Sequence, residues 1–175
     1  MLTAKRLALT LSGLLALALA TPATGQTCTG NPCSVNNTAS VTVNTVLRLT
    51  LSSATTTLTS PNEAAFDAGF QDDAGPVATV KSNRPWNLEI SAQAATWTGV
   101  GALARANKPA GDLQWSRTGG APFTALAVAP LSVYGASQAA GGNQQTTFTY
   151  RTLWSWAADT PGDYSLVVVY TVTAP

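Results

Sequence analysis

The chain contains no histidine. That absence excludes Ser-His-Asp and Cys-His nucleophilic machinery, because nothing is left to take the nucleophile's proton near neutral pH. Histidine-ligated zinc hydrolysis is excluded with it. Charge is scarce as well, with Asp, Glu, Lys and Arg making up 10% of the 175 residues. From residue 26 onward seven basic residues face eight acidic ones, a formal charge of −1. A nucleic-acid partner needs a basic stripe to neutralise phosphates, so none is expected. Only two cysteines occur, and past Thr38 no segment spaces its apolar residues as a helical stripe does.

Residues 1–25 read as a secretory signal peptide. Lys5 and Arg6 supply the charged start, residues 7–20 an uncharged apolar run, and Ala23-Thr24-Gly25 a small-residue exit. The run is shorter than the roughly 20 apolar residues needed to cross a bilayer, so no membrane span is expected once the leader is gone. Gly25-Gln26-Thr27 does not suit lipid attachment at Cys28. The expected location is therefore extracellular or associated with the cell envelope. There Cys28 and Cys33, flanking the turn-forming Thr29-Gly30-Asn31-Pro32, are expected to form a disulfide. A metal role is disfavoured, since two thiolates without histidine leave zinc short of ligands. So small a ring constrains the unfolded chain by about 2 kcal/mol, enough to pin residues 26–38 without organising a core.

Residues 39–175 form one domain dominated by period-two alternation. Val43, Leu47, Leu49 and Leu51 alternate with polar residues from Val41 onward, predicting a half-buried strand or two with a bend near Asn44. Pro and Gly clusters make loops of 60–62, 67–69 and 72–76. In 86–92 the side chains of Trp86, Leu88, Ile90 and Ala92 share one face and Asn87, Glu89 and Ser91 the other. Residues 137–145 read as a flexible connection. Two long strands are predicted at 146–157 and 163–173, joined across Thr160-Pro161-Gly162 as an antiparallel hairpin. Eight to ten short strands without helices predict an all-β fold, an antiparallel β-sandwich of Ig-like or Greek-key type, with a closed barrel as the alternative.

The eight carboxylates leave acid-base glycan chemistry open, because a glycosidase needs only two of them. Glu63, Asp67, Asp72 and Asp73 cluster in a loop region, and Asp112, Asp159 and Asp163 adjoin Pro or Gly, so turn and surface solvation accounts for them. The cluster lacks the alternating Asp/Asn loop with a closing Glu that calcium selects. No metal, cofactor or catalytic residue is assigned. Among five tryptophans, Trp86, Trp154 and Trp156 fall in phase with core residues and Trp115 with Leu113. Trp97, outside a clear alternation, is the one expected to be exposed and available to a ligand.

Trp86-Asn87-Leu88 resembles the tripeptide for which bacterial WxL cell-surface domains are named. Phe66-Asp67-Ala68-Gly69 and Val80-Lys81-Ser82-Asn83-Arg84 match its surroundings in character. The family repeats its motif in a last strand after a Gly-x-Tyr turn. Here Gly162-Asp163-Tyr164 precedes Tyr170-Thr171-Val172 and Pro175, with Tyr for Trp and Val for Leu. The resemblance covers residues 66–175 and implies an all-β module that attaches non-covalently to the cell wall, with peptidoglycan or another surface polymer or protein as partner. The terminal turn and strand are also similar to fimbrial and spore-coat-type subunits, some of which assemble by strand addition. The reading is thus a secreted, non-enzymatic surface module, expected to be a monomer. An assembling subunit and a carbohydrate-binding module are its alternatives.

Overall fold

The computed structural model describes residues 25–175; the signal-peptide expectation for residues 1–25 lies outside them, Gly25 excepted. The chain divides into two compact units, Met1–Thr42 and Val43–Pro175. In the first, residues 25–42 are mostly exposed and carry no strand. Cys28 and Cys33 form the expected disulfide, with Cα atoms 5.8 Å apart.

The second unit is an antiparallel β-sandwich. Its strands are β1 (Leu47–Leu51), β2 (Phe70–Ser82), β3 (Asn87–Ala92), β4 (Thr98–Val100), β5 (Leu113–Ser116), β6 (Thr124–Ala125), β7 (Leu131–Ser132), β8 (Gly141–Leu153), β9 (Asp163–Ser165) and β10 (Val168–Thr173). One sheet has the order β1-β2-β8-β5-β6, a second β10-β3-β7, and β4 pairs with β9 alone. No hydrogen-bonded ladder joins β1 to β10, so the sheets remain separate and the barrel alternative falls away. Among the described residues no helix is long and apolar enough to cross a membrane.

Alternation explains which faces meet. Val80, Phe148 and Tyr150 project from the first sheet and Leu88 and Ile90 from the second, each less than a twentieth exposed. Phe148 meets Tyr170 across the gap at a ring-centroid distance of 5.1 Å and, within its own sheet, Trp115 at 5.9 Å. The Tyr150 and Tyr170 hydroxyls hydrogen-bond to each other, closing the core with a polar link between sheets. Burial raises the pKa of both phenols; for Tyr150 the bond to Tyr170 opposes the rise, for Tyr170 the neighbouring Tyr150 adds to it.

Several local expectations are corrected. The predicted hairpin between 146–157 and 163–173 does not form: β10 pairs with β3, placing Tyr170 opposite Ile90 and Val172 opposite Leu88. Both edges of β8 are already taken by β2 and β5, so the chain after Leu153 must cross to the other sheet. β10 is consequently an edge strand, and Val168, Tyr170 and Val172 on its inner face are half-buried against the core. The strand expected from Val41 begins only at Leu47, leaving Val41, Val43 and Val46 62–86% exposed.

Residues 72–76, expected as a loop, lie inside β2, whose register slips between Ala74 and Val77 as a bulge. Gly75 permits the bend, because a Cβ there would stand 3.0 Å from the Phe148 carbonyl oxygen. The flexible connection of 137–145 is half strand, since β8 starts at Gly141. A short helix α1 (Glu63–Ala68), unforeseen, is capped by the Asn62 side chain accepting from the Ala65 N–H and ended by Gly69 at φ 79°.

Candidate functional site

Of the motif residues, Trp86 and Leu88 are buried. The Trp86 indole donates to the Ala139 carbonyl at 3.0 Å and its backbone exchanges hydrogen bonds with Gln138. With its polar group satisfied and its ring enclosed, Trp86 is a core residue. Tyr170 and Val172 lie beside this strand and also face inward.

Trp97 is buried, at 7% exposure, contrary to the exposed ring expected. Its backbone N–H donates to the Lys108 carbonyl at 2.8 Å, and Ala110 donates to Ala95, so a short extended clasp turns the indole inward. The exposed tryptophan is Trp156, at 63%, which was expected in the core. It lies past the end of β8, where the alternation no longer governs. It stacks on Phe66 at 4.7 Å and donates its indole N–H to Asp67.

Trp97 lines a cleft of about 600 Å³ between the extended segment 53–61 and the chain from Gly162 to Val168, with Tyr150, Thr152 and Trp154 also in its wall. Among the described residues five buried polar atoms lack a hydrogen-bond partner; three, Trp97 Nε1, Trp154 Nε1 and Thr152 Oγ1, belong to residues of this lining, and two, Asp73 Oδ2 and Trp115 Nε1, lie outside it. Such atoms are rare in folded chains, and each demands a reason. Of the three in the lining, two are pure donors and the third is a hydroxyl. The Tyr150–Tyr170 pair also lines the cleft. Neutral through ordinary pH, it holds two protons and spends only one on its mutual bond. The rim carries Ser53, Thr55, Thr56, Thr57 and Thr59, and Asp163 is the only charged residue of the lining. The arrangement suits an uncharged, acceptor-rich ligand with apolar faces.

Behind the Trp154 ring lies an ionic cluster. Lys108, fully buried, sits 4.4 Å from the ring centroid. Its Nζ donates to Asp159 at 2.8 Å, to the Leu153 carbonyl at 2.9 Å and to Asp112 at 3.2 Å. Arg105 reaches the same two carboxylates, at 3.0 Å and 3.2 Å. Asp159, taken for a solvated turn residue, has a side chain only 2% exposed, because the turn after Leu153 folds it inward onto these cations. Burial raises the pKa of its carboxyl, but hydrogen bonds from Lys108 and Arg105, the Lys108 charge and the Ser155 N–H outweigh burial, and the net shift is downward. Arg105 also donates its backbone N–H to the Tyr164 hydroxyl at 2.7 Å, tying the 99–112 region to the cleft wall.

Sequence reasoning missed Thr152, although its position in phase with Phe148 and Tyr150 carried the signal for an inward hydroxyl. No sequence signal joins Lys108 to Asp159 across 51 residues. Among the described residues no group of three or more His, Cys, Asp or Glu is placed to hold a metal. No protein-family model matches the chain, and a search of curated proteins finds no match.

Proposed function

We propose that this protein is a secreted, non-catalytic envelope module of the WxL-like kind that binds an uncharged glycan of the bacterial cell wall in the cleft beside Trp97. The observation that carries this reading is that three residues of the cleft lining, Trp97, Trp154 and Thr152, each keep a buried polar atom, Nε1, Nε1 and Oγ1, without a hydrogen-bond partner just behind the cleft surface. Sugar hydroxyl, ring and acetamido oxygens are acceptors that match such donors, and the indole and phenol faces suit the C–H faces of a pyranose. In this reading the tripeptide at Trp86 builds the sandwich, and wall contact falls to the cleft. Depletion of residues 26–175 from solution by purified peptidoglycan is the test. Trp97→Phe and Trp154→Phe, which remove one donor each, should weaken retention by about 3- to 10-fold apiece, the worth of one neutral hydrogen bond. Retention unchanged in both variants would overturn the assignment.

A second reading, strand addition between copies, draws on the exposed Val41, Val43 and Val46 and the half-buried edge strands β1 and β10. An unpaired edge offers unmet backbone hydrogen bonds to an alternating segment. The donor would be residues 39–46 of a second copy. Val41→Asp with Val43→Asp should then convert oligomers to monomers in sedimentation. A wild-type chain sedimenting as a monomer at micromolar concentration removes this reading.

A further inference from the structure

We propose that Lys108 and Asp159 are the site of a self-catalysed intramolecular amide cross-link, with Asp112 as the proton carrier. Lys108 Nζ has no exposure and lies 2.8 Å from a carboxylate oxygen of Asp159, itself 2% exposed. A second carboxylate, Asp112, stands 3.2 Å from the same nitrogen. The Trp154 ring covers the pair at 4.4 Å. Nucleophile and electrophile thus meet out of water, with the proton carrier Asp112, 21% exposed, at the edge of their pocket, all at the distances an intramolecular condensation requires.

A solvated surface cluster does not explain this burial. Taking a lysine and an aspartate out of water is costly, and a well-packed apolar pair of similar volume is often as stable. The backbone aims the lysine: Asn107, immediately before it, holds φ at 60°, a left-handed conformation rare for non-glycine residues.

The step balances without a co-reactant. Within the ion pair a proton passes from Nζ to the carboxylate, leaving an amine beside an acid. The amine lone pair attacks the Asp159 carboxyl carbon. Asp112 removes a proton from the nitrogen and returns it to the departing oxygen, so one C–N bond forms, one C–O bond breaks and one water leaves. Each Asp159 oxygen is held for its part. Oδ2 accepts the Ser155 N–H at 2.8 Å, which steadies the tetrahedral oxyanion, while Oδ1 accepts from Arg105 at 3.0 Å and is the oxygen that departs. Because the ion pair favours the ionised Asp159, the reaction is a slow, single maturation event. Arg105 and Asp112 remain afterwards as a neutralised pair.

Mass spectrometry of the folded mature protein tests this directly. The linked chain weighs about 18 Da less than the sequence with its disulfide formed. Trypsin should release peptides 106–117 and 152–175 as one joined species, since Lys108 precedes proline and Asp159 lies within the second peptide. Lys108→Arg keeps the positive charge but offers no acylable amine, and should give the full mass and two separate peptides. Asp112→Asn keeps the shape and should leave the joined species at least tenfold rarer after equal incubation. Full mass with separate peptides in the wild-type protein, after prolonged incubation in the folded state, overturns the proposal. Joined peptides in Asp112→Asn at wild-type abundance overturn the role of Asp112.

Discussion

Replacing Thr152 with valine should make the protein more stable and a poorer binder. The Thr152 side chain points inward from β8 between Tyr150 and the start of the crossing turn, at 1% exposure, and its hydroxyl finds no partner among the described residues. An unsatisfied buried hydroxyl costs about 1–3 kcal/mol in desolvation. Valine has nearly the same shape and none of that cost. The expected gain is about 0.5–2 kcal/mol, less than the full desolvation cost because the methyl that replaces the hydroxyl does not pack perfectly. In the proposed glycan-binding reading the same substitution removes one hydrogen bond to the ligand, so binding should weaken by about 3- to 10-fold. Urea denaturation followed by tryptophan fluorescence measures the first effect and depletion by peptidoglycan the second. Opposite signs are the signature of a group retained for function at the expense of the fold. A valine variant that is less stable by 1 kcal/mol or more, or that binds as well as the parent, would refute the reasoning.

Phe148→Ala should cost about 3–5 kcal/mol in the same denaturation experiment, because its fully buried ring touches Trp115 and Tyr170 and joins the two sheets. Gly75→Ala should lower the melting temperature, since the added Cβ would press on the Phe148 backbone inside a sheet that cannot shift freely. The raised phenol pKa values of Tyr150 and Tyr170 mean that the unfolded chain loses those protons first. Their contribution to stability is complete below about pH 10, the unfolded value, and is lost as pH rises above it. Alkaline denaturation should therefore be flatter in a Tyr150→Phe, Tyr170→Phe double variant. Reduction of Cys28–Cys33 should leave the far-ultraviolet dichroism nearly unchanged, as the two cysteines stand only five positions apart within the terminal unit.

The inward faces of β3 and β8 were legible because each strand buries one side only, so Leu88 and Ile90, or Phe148 and Tyr150, repeat at period two. Partner choice was not. The Thr160-Pro161-Gly162 turn is a good local hairpin signal, yet the neighbours of β8 on both sides were filled by strands far away in sequence. Edge position is equally silent, so the alternation of β10 does not reveal that Val168 and Tyr170 lie on an outer strand of their sheet. For the cleft, Trp97 was singled out with the wrong exposure, since it is buried in the lining. Its alternation is broken by the clasp with residues 108–110, a contact that reads in sequence as an irregular loop.

The cluster and the cleft are two sides of one indole. Trp154 presents a face to Lys108 Nζ at 4.4 Å and also belongs to the cleft lining, while Trp97 is held by a backbone hydrogen bond to the same 99–112 region that Arg105 and Lys108 anchor. The protein's disulfide lies in the terminal unit and closes a ring of its own residues. Rigidity of the cleft must therefore come from within the sandwich. Side chains fixed before a ligand arrives lose less entropy on binding, so whatever immobilises residues 99–112 raises affinity without touching the ligand. A covalent tie from Lys108 to Asp159 would do this more completely than the four ion-pair contacts it replaces or adjoins. The consequence is specific: Lys108→Arg should weaken glycan binding although its side chain does not line the cleft, and the loss should appear chiefly as faster release. Wild-type release from the glycan in a Lys108→Arg chain that folds normally would separate the two sites and confine the cluster to stability.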